Sequence, residues 1–317
     1  MSDLVNKDGF LLRVNEYEKS IILRDIDFNG NNLNDSVVEY IKEAGIKDLE
    51  LNDVFGFNLN TLQFLIQVSW VEGLRIIKSG GINLEGLQLL KNLKRITINY
   101  SSESLDFSHF KKLKIADILW SKERITILEC ESLETLVLHK YNGEGLEKIT
   151  NLPTLKNLKF VSSSINNLKG VENLKNLETI EIHYNSKLSD LSILAKCKTL
   201  KKIRLSNLSK VTNLNFLANC ESVEFISVSD CKNIIENESL FKCESLKVIG
   251  YYNSGSIATI NGIEHLKYLE RFNIGNTNVE DGNLKPLLRL ENITTISFKD
   301  KRHYNLKLEE VKNKLHT

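Results

Sequence analysis

The sequence has almost no excess of charge, no long apolar run and no recognisable leader segment. Lysine and arginine number 42 against 41 for aspartate and glutamate, a net charge of +1. That balance predicts no general attraction to nucleic acid or to an anionic membrane. No apolar run is long enough to span a bilayer, and the N-terminus lacks a basic segment followed by a long apolar one. We therefore expect a cytoplasmic protein that binds neither membrane nor nucleic acid.

Motifs of catalysis and cofactor binding are also missing. The sequence contains no GxGxxG, no phosphate-binding loop, no GxSxG and no HxxxH. The five cysteines include no CxxC pair, and an odd number favours a reducing compartment over a disulfide framework. We expect no metal, no cofactor and no enzymatic activity.

A phrase built around cysteine recurs along the chain. It reads LECESLETLVL, AKCKTLKKIRL, ANCESVEFISV and FKCESLKVIG at successive places. Alignment on this phrase places the first apolar residue of each predicted strand 20 to 25 residues after the previous one. These residues are Ile46, Val71, Leu93, Leu113, Leu133, Leu155, Leu177, Leu200, Val223, Leu246, Leu269 and Ile293. A period of this length predicts a solenoid.

Within one period the apolar spacing identifies the strand. Leu177, Ile180, Ile182 and Asn185 fit the pattern LxxLxLxxN, and Cys231 stands at the asparagine position of a later repeat. Between strands, apolar residues recur every third position, which keeps one face of a 3-10 or extended segment but drifts around an α-helix. The same pattern predicts one further strand upstream, over residues 23–28.

The period and phrases such as NLPTLKNLKF and VENLKNLETIEI resemble the roughly 22-residue class of leucine-rich repeats best known from bacterial internalins. The resemblance covers residues 46–298. It implies an α/β solenoid, a curved array with a parallel β-sheet on the concave face and mostly 3-10 or extended segments on the convex face. Unlike internalins, the sequence shows no secretion signal and no wall-anchoring tail.

We expect one domain, because no proline-, glycine- or serine-rich linker interrupts residues 1–317. Residues 1–45 would form an N-terminal cap and possible first repeat, 46–298 about twelve repeats, and 299–317 a C-terminal cap.

The N-terminal cap sequence predicts paired strands followed by a helix. Ser36 and Glu39 have capping-box spacing at the start of this helix, and Gly45 is its predicted stop.

Three cysteines, Cys197, Cys220 and Cys243, occupy one column of adjacent repeats where other repeats carry leucine. Buried packing of the thiols is the favoured interpretation, with metal binding or redox chemistry as the alternative.

Aromatic and apolar residues occupy strand positions that should face solvent on the concave side. They form the predicted partner-binding set: Tyr100, Leu119, Trp120, His139, Tyr141, His183, Tyr184, Phe225 and Tyr252. Exposed aromatic residues are typical of protein interfaces. The alternative for Trp120 is that the two short repeats around it turn the indole inward to fill a gap.

Carboxylates cluster near the N-terminus of the array. Asp25 and Asp48 are predicted to share one outward column, Asp27 and Glu50 the next, with Asp53 just beyond. We interpret them as an acidic rim that selects basic partners. The alternatives are a calcium site or a glycosidase-like acid pair.

These patterns predict a non-enzymatic protein-interaction module, monomeric on its own, that binds an unidentified protein on its concave face. A bacterial immunity or antitoxin-like protein, or a scaffold, would fit such an architecture. The alternatives are a secreted or surface adhesin-type receptor, and a hydrolase that uses the N-terminal acids.

Overall fold

The computed structural model describes residues 3–14, 19–99, 103–143 and 146–315 of the 317-residue chain. The chain divides into two compact units, residues 1–139 and 140–317, which we call unit 1 and unit 2. Within the described ranges, no helix is long and apolar enough to cross a membrane.

Unit 1 is a sheet whose strands follow the chain. Its described strands and helix are β1 (Asp3–Lys7), β2 (Phe10–Val14), β3 (Lys19–Leu23), β4 (Phe28–Asn29), β5 (Asn32–Leu33), α1 (Asp35–Glu43), β6 (Asp48–Asn52), β7 (Gly73–Ile77), β8 (Arg95–Ile98), β9 (Ile115–Leu119) and β10 (Thr135–His139). β1, β2 and β3 pair antiparallel. β3, β6, β7, β8, β9 and β10 pair parallel in that order, and β4 and β5 form a separate antiparallel pair.

The segments that return the chain from one strand to the next in unit 1 are short 3-10 helices. They span Asp25–Asp27, Asp53–Phe55, Gln63–Val68, Glu85–Leu89, Phe107–His109 and Lys122–Glu129. Apolar residues in and beside these helices repeat every third position, as in Leu84, Leu87, Leu90 and Leu93, and all four are buried. The period-three prediction is thus confirmed, because a 3-10 helix brings every third side chain to the same face.

Two predictions for the N-terminal cap are wrong. The strand lies at Lys19–Leu23, not at residues 23–28, and Asp25–Asp27 form the 3-10 helix after it. Helix α1 begins after Asn34, so Ser36 lies inside the helix and no capping box forms around it. Gly45 does end the helix, in the left-handed region at φ 61°.

Unit 2 repeats the same coil, and its described residues contain no antiparallel strand pair at the start. Its described strands and helix are β11 (Asn157–Val161), β12 (Thr179–Asn185), β13 (Lys202–Leu208), β14 (Phe225–Ser229), β15 (Val248–Tyr252), β16 (Arg271–Asn273), β17 (Thr295–Ser297) and α2 (Leu308–Leu315). The seven strands pair parallel in chain order. The 3-10 helices of unit 2 are Glu147–Asn151, Val171–Asn173, Ser192–Lys196, Asn215–Asn219, Glu238–Lys242, Ile263–His265 and Lys285–Arg289.

The core of each unit is a ladder of alternate strand residues. In β12 and β13, Ile180, Ile182, Ile203 and Leu205 are at most 1% exposed, and the residues between them face away from the core. Asn185 follows the same ladder and is fully buried. Its amide donates to the carbonyl of Ile165, and its oxygen accepts from two backbone N–H groups. The asparagine thus satisfies the backbone at the turn, as its place in the repeat predicts.

Near the end of several unit 2 strands the backbone turns at one residue that has a left-handed conformation, and we call this residue the corner. The residues at this corner are Ser162, Tyr184, Asn207, Asp230 and Asn253, with φ between 47° and 57°. Asparagine and aspartate tolerate this region best among non-glycine residues, so Tyr184 is there against conformational preference.

Oppositely charged residues alternate just before the strands. Glu72 lies 3.3 Å from Lys47 and 2.9 Å from Lys94 in unit 1. In unit 2, Glu178 pairs with Lys201 and Glu224 with Lys247. Exposed pairs contribute little stability individually. Their effect is on register, since a slip would place like charges side by side.

The predicted burial of the cysteine column is confirmed for two of its three members. Cys197 and Cys243 are buried and Cys220 is half-buried, each with its sulfur near backbone carbonyls. Burial raises the pKa of Cys197 to about 11 and the pKa of Cys220 to about 12.

We expect all three thiols of the folded protein to react far more slowly with a disulfide reagent than in urea, because little thiolate forms at neutral pH. Cys220 should be the fastest of them. Cys243→Ala should lower the free energy of unfolding by only about 1 kcal/mol, since a small apolar group is lost. Rapid labelling of Cys243 in the native state would contradict its burial.

Candidate functional site

The open face of each unit is the side of the sheet turned away from the core. In unit 1 it carries the alternate residues of β6 to β10, which include charged, polar and apolar side chains. Two areas stand out: a cluster of arginines over β6 to β8 and an apolar area over β9 and β10.

Two arginines of unit 1 hold buried or half-buried carboxylates. Arg13 donates to both oxygens of Glu50 at 2.6 and 2.9 Å, and the Glu50 side chain is fully buried. Asn52 donates a further bond to the same carboxylate at 2.9 Å. Burial by itself would raise the pKa of Glu50, but the bonds from Arg13 and Asn52 hold that pKa below its ordinary value. Glu50 is therefore an ionised carboxylate with both oxygens hydrogen-bonded.

The second pair depends on a glycine. Arg95 donates to Asp48 Oδ1 and Oδ2 at 2.8 Å each. The Asp48 carboxylate lies over Gly73 in the neighbouring strand, where a β-carbon would come within 1.7 Å of its oxygen. Gly73 thus makes the space in which the pair forms.

The predicted acidic rim does not exist as a free acidic surface. Ser20, not Asp25, pairs with Asp48, and Ile22, not Asp27, pairs with Glu50. All five acids accept hydrogen bonds. Asp25 does so from Asn58, Asp27 from the backbone and side chain of Arg24, and Asp53 from Ser79. The side chains that surround these acids are therefore mostly cations and hydrogen-bond donors.

The apolar area of unit 1 contains part of the predicted binding set. Ile115 is 39% exposed, and Leu119, Trp120 and Val137 are half-buried. Trp120 is thus outside the core, and its backbone N–H donates to the carbonyl of His139 at 2.8 Å. The His139 ring nitrogen Nε2 lies 2.7 Å from Asp117, so this predicted contact residue is already engaged.

The open face of unit 2 is basic. Among its paired outward residues, the cations are Lys159, Lys202, Arg204 and Arg271, and the one acid is Glu181. The rest are polar or apolar, including Phe225 and Tyr252.

Two cations of β13 lie over the ring of Phe225 in the neighbouring strand β14. Lys202 Nζ and the Arg204 guanidinium carbon are each 5.1 Å from the centre of its half-buried ring. Such cation–π contacts hold the charges in place on the face without neutralising them.

The one acid of this face is neutralised by its neighbours. Glu181 lies 3.3 Å from His183 Nε2, 3.2 Å from Lys159 Nζ and 3.4 Å from Arg204 Nη1. The hydrogen bond with His183, followed by the one from Lys159, lowers the pKa of Glu181 to about 2. His183 is also 2.7 Å from the hydroxyl of Ser206. The open face of unit 2 therefore keeps a net positive charge at neutral pH.

Two tyrosines of the predicted set frame this basic area. Tyr184 is 60% exposed at its left-handed corner. Tyr252 is half-buried and lies across Gly250, where a β-carbon would come within 2.7 Å of its ring.

The prediction that Tyr141 faces solvent is wrong. Tyr100 of the predicted set lies outside the described residues. Tyr141 is 3% exposed and packs against Phe160 with ring centres 5.6 Å apart. It occupies the position of Asn185 in its own repeat, where the side chain turns into the core. The spacing Leu133, Leu136, Leu138, Tyr141 carried that signal.

Four cations of the unit 2 open face were not among the predicted contact residues, which were chosen for aromatic and apolar character. Lys202 and Arg271 lie in the outward column of Phe225, and Lys159 and Arg204 lie in the next outward column, with Ser227. The repeat alignment would have placed all four cations on the open face. Arg75 of unit 1 was missed in the same way.

No group of three or more histidine, cysteine, aspartate or glutamate side chains in the described residues is placed to hold a metal ion.

Solved structures that match the chain share its architecture. An internalin, InlF, of Listeria monocytogenes superposes with a TM-score of 0.61 at 16% identity, covering 89% of this chain and 87% of that one. A leucine-rich-repeat protein of Leptospira interrogans gives a TM-score of 0.66 at 16% identity, covering 92% and 80%. The chain has a leucine-rich-repeat fold.

Another matching structure contains a longer chain than this one. The TLR13–ssRNA13 complex matches with a TM-score of 0.62 at 17% identity over 80% of this chain, which spans 39% of that chain. A scan of protein-family models and a search of curated proteins found no match.

Proposed function

We propose that this leucine-rich-repeat chain is a non-enzymatic interaction module whose unit 2 binds an acidic segment of a partner protein on its open face. The observation that carries the proposal is the position of two cations of β13, Lys202 and Arg204, over the ring of Phe225 in β14.

Charge supports an acidic partner. The face carries four outward cations and one acid that is already surrounded by donors, although the whole chain is nearly neutral. A local excess of one sign on a neutral protein favours a partner of opposite sign, by speeding encounter and by penalising wrong partners.

Aromatic residues support a protein surface as the ligand. Tyr184 is exposed at a left-handed corner where asparagine would cost less, and Tyr252 and Phe225 lie on the same open face. Tyrosine and arginine are enriched among residues that dominate binding energy. This favours a partner with an acidic surface around an apolar centre, which replaces the basic partner inferred from the acidic rim.

Leu119, Trp120 and Ile115 on the open face of unit 1 form a separate apolar surface, which we propose as a protein contact in its own right. A module of this kind acts by covering or holding its partner, as an immunity protein or a scaffold does.

The test is capture from the source lysate followed by measurement of affinity for the purified partner. Lys202→Glu combined with Arg204→Glu should weaken binding at least tenfold, because two attractions become repulsions. The matched control is Lys196→Glu with Lys210→Glu, which makes the same charge change on exposed lysines that are not among the paired outward residues of the sheet. This control should bind like the wild type.

Three results would overturn the proposal. These are equal affinity for the two double variants, a captured partner without an acidic surface, and loss of capture after nuclease treatment. The last would make nucleic acid the ligand, which is the class named in the TLR13–ssRNA13 neighbour.

A further inference from the structure

A pocket of about 220 Å³ opens on unit 1 over β6, β7 and β8. Its lining includes Arg13, Asp48, Glu50, Arg75, Arg95 and Ile115. Three guanidinium groups and two carboxylates thus meet at one cavity, whose floor is the sheet at Gly73 and Leu74.

Both carboxylates of the pocket are already bound. Glu50 accepts two hydrogen bonds from the Arg13 guanidinium and one from the amide of Asn52. Both oxygens of Asp48 accept hydrogen bonds from the Arg95 guanidinium. Each acid thus has an arginine partner and hydrogen bonds at both of its oxygens without Arg75.

Arg75 carries the third guanidinium group of the pocket. Its side chain is exposed, and within the described part of the chain it makes no hydrogen bond or ion pair. The Glu50 carboxylate attracts it through space. The pocket therefore holds one uncompensated positive charge with its planar donors unused.

We propose that this arginine pocket binds a monocarboxylate with a short apolar chain. Arg75 would receive the carboxylate in the two-pronged geometry that guanidinium groups offer. Ile115, which is 39% exposed at the pocket wall, would pack against the apolar carbons.

The charge of the pocket selects a carboxylate over a phosphate. A single negative charge matches the one free cation. A second negative charge would meet Asp48 and Glu50, which line the same cavity and are both paired. Like charges at close range disfavour the dianion, whereas a carboxylate avoids most of that repulsion.

The site lies in unit 1 and is independent of the acidic partner proposed for unit 2. The carboxylate could come from a small free acid or from an acidic side chain of a bound protein, and the experiment separates these two sources.

Ligand-observed NMR and calorimetry on the full chain, at constant ionic strength, would use butyrate, neutral butyramide, inorganic phosphate and N-acetylglutamate amide as probes. Butyrate should bind with a Kd of about 1–10 mM, as expected for a ligand of so few atoms. Butyramide and phosphate should each bind at least tenfold more weakly. Tighter binding of N-acetylglutamate amide than of butyrate would identify a protein side chain as the source, and the reverse order a free acid.

Arg75→Gln should reduce butyrate affinity at least tenfold while the melting temperature stays within a degree or two of the wild type, because Arg75 is exposed and holds no buried group. Arg75→Lys should keep part of the affinity. The matched control is Arg271→Gln, an exposed outward arginine of unit 2, which should leave butyrate binding unchanged. Equal binding to wild type and Arg75→Gln, tighter binding of phosphate, or no butyrate binding at 50 mM would each overturn the proposal.

Discussion

The Ile180→Asp variant should lose about 4 kcal/mol or more of the free energy of unfolding, which is comparable with the whole stability of many domains. Ile180 is fully buried in the inward ladder of β12, and the facing positions in β11 and β13 are Leu158 and Ile203. A carboxylate there would have no partner. Because each coil is stabilised by its neighbours, the loss should spread to adjacent coils.

Hydrogen exchange and thermal melting would measure this effect. We expect amides of β11, β12 and β13 to lose protection together in Ile180→Asp. The control is Thr179→Asp, one residue away on the open face beside Lys202, which should change stability by less than about 1 kcal/mol. Similar melting of Ile180→Asp and the wild type would mean that the inward register is wrong.

Arg13→Ala should lower the free energy of unfolding by about 3 kcal/mol at pH 7, because it leaves the buried Glu50 carboxylate without its bidentate partner. Arg75→Ala is the matched control. It removes a guanidinium from the same pocket without taking a hydrogen bond from Glu50, and it should cost less than about 0.5 kcal/mol.

The pH dependence of the Arg13 effect has a defined sign. In the wild type the folded-state pKa of Glu50 lies below its ordinary 4.5, so the stabilisation is present above that pH and is lost as the pH falls below it. Without Arg13, burial should raise the pKa of Glu50 above the ordinary value. The variant is then destabilised at neutral pH, and protonation of Glu50 at lower pH removes part of that destabilisation.

Denaturant unfolding from pH 7 to pH 4 would therefore show the difference between wild type and Arg13→Ala shrinking as the pH falls. Glu50→Gln in the Arg13→Ala background should recover part of the loss at pH 7. A constant difference across this range would show that Arg13 stabilises by packing and not by its charge.

The repeat alone determined the inward ladder, the asparagine turn and the cysteine column. Ile180, Asn185 and Cys243 were placed correctly from spacing, because every coil must bury the same positions against its neighbours. The 3-10 return segments followed from a period of three for the same reason.

Two placements from the sequence were wrong, one in a segment outside the common pattern and one at a residue that fits it. The cap strand at Lys19–Leu23 has no repeat to align with, so its register depended on the antiparallel pairing with β2. Tyr141 was read as a surface residue, although its spacing placed it at an inward turn.

Side-chain pairing across coils was decided by the tertiary structure. Sequence spacing aligned the columns but did not show that Arg13 reaches Glu50, that Arg95 and Asp48 meet over Gly73, or that Arg204 stacks on Phe225. These contacts join residues about twenty or more positions apart. They depend on strand register, on the space that one glycine leaves, and on the side-chain rotamers that this space allows. The repeat therefore specifies which residues face outward, and only the folded sheet specifies which of their charges remain free.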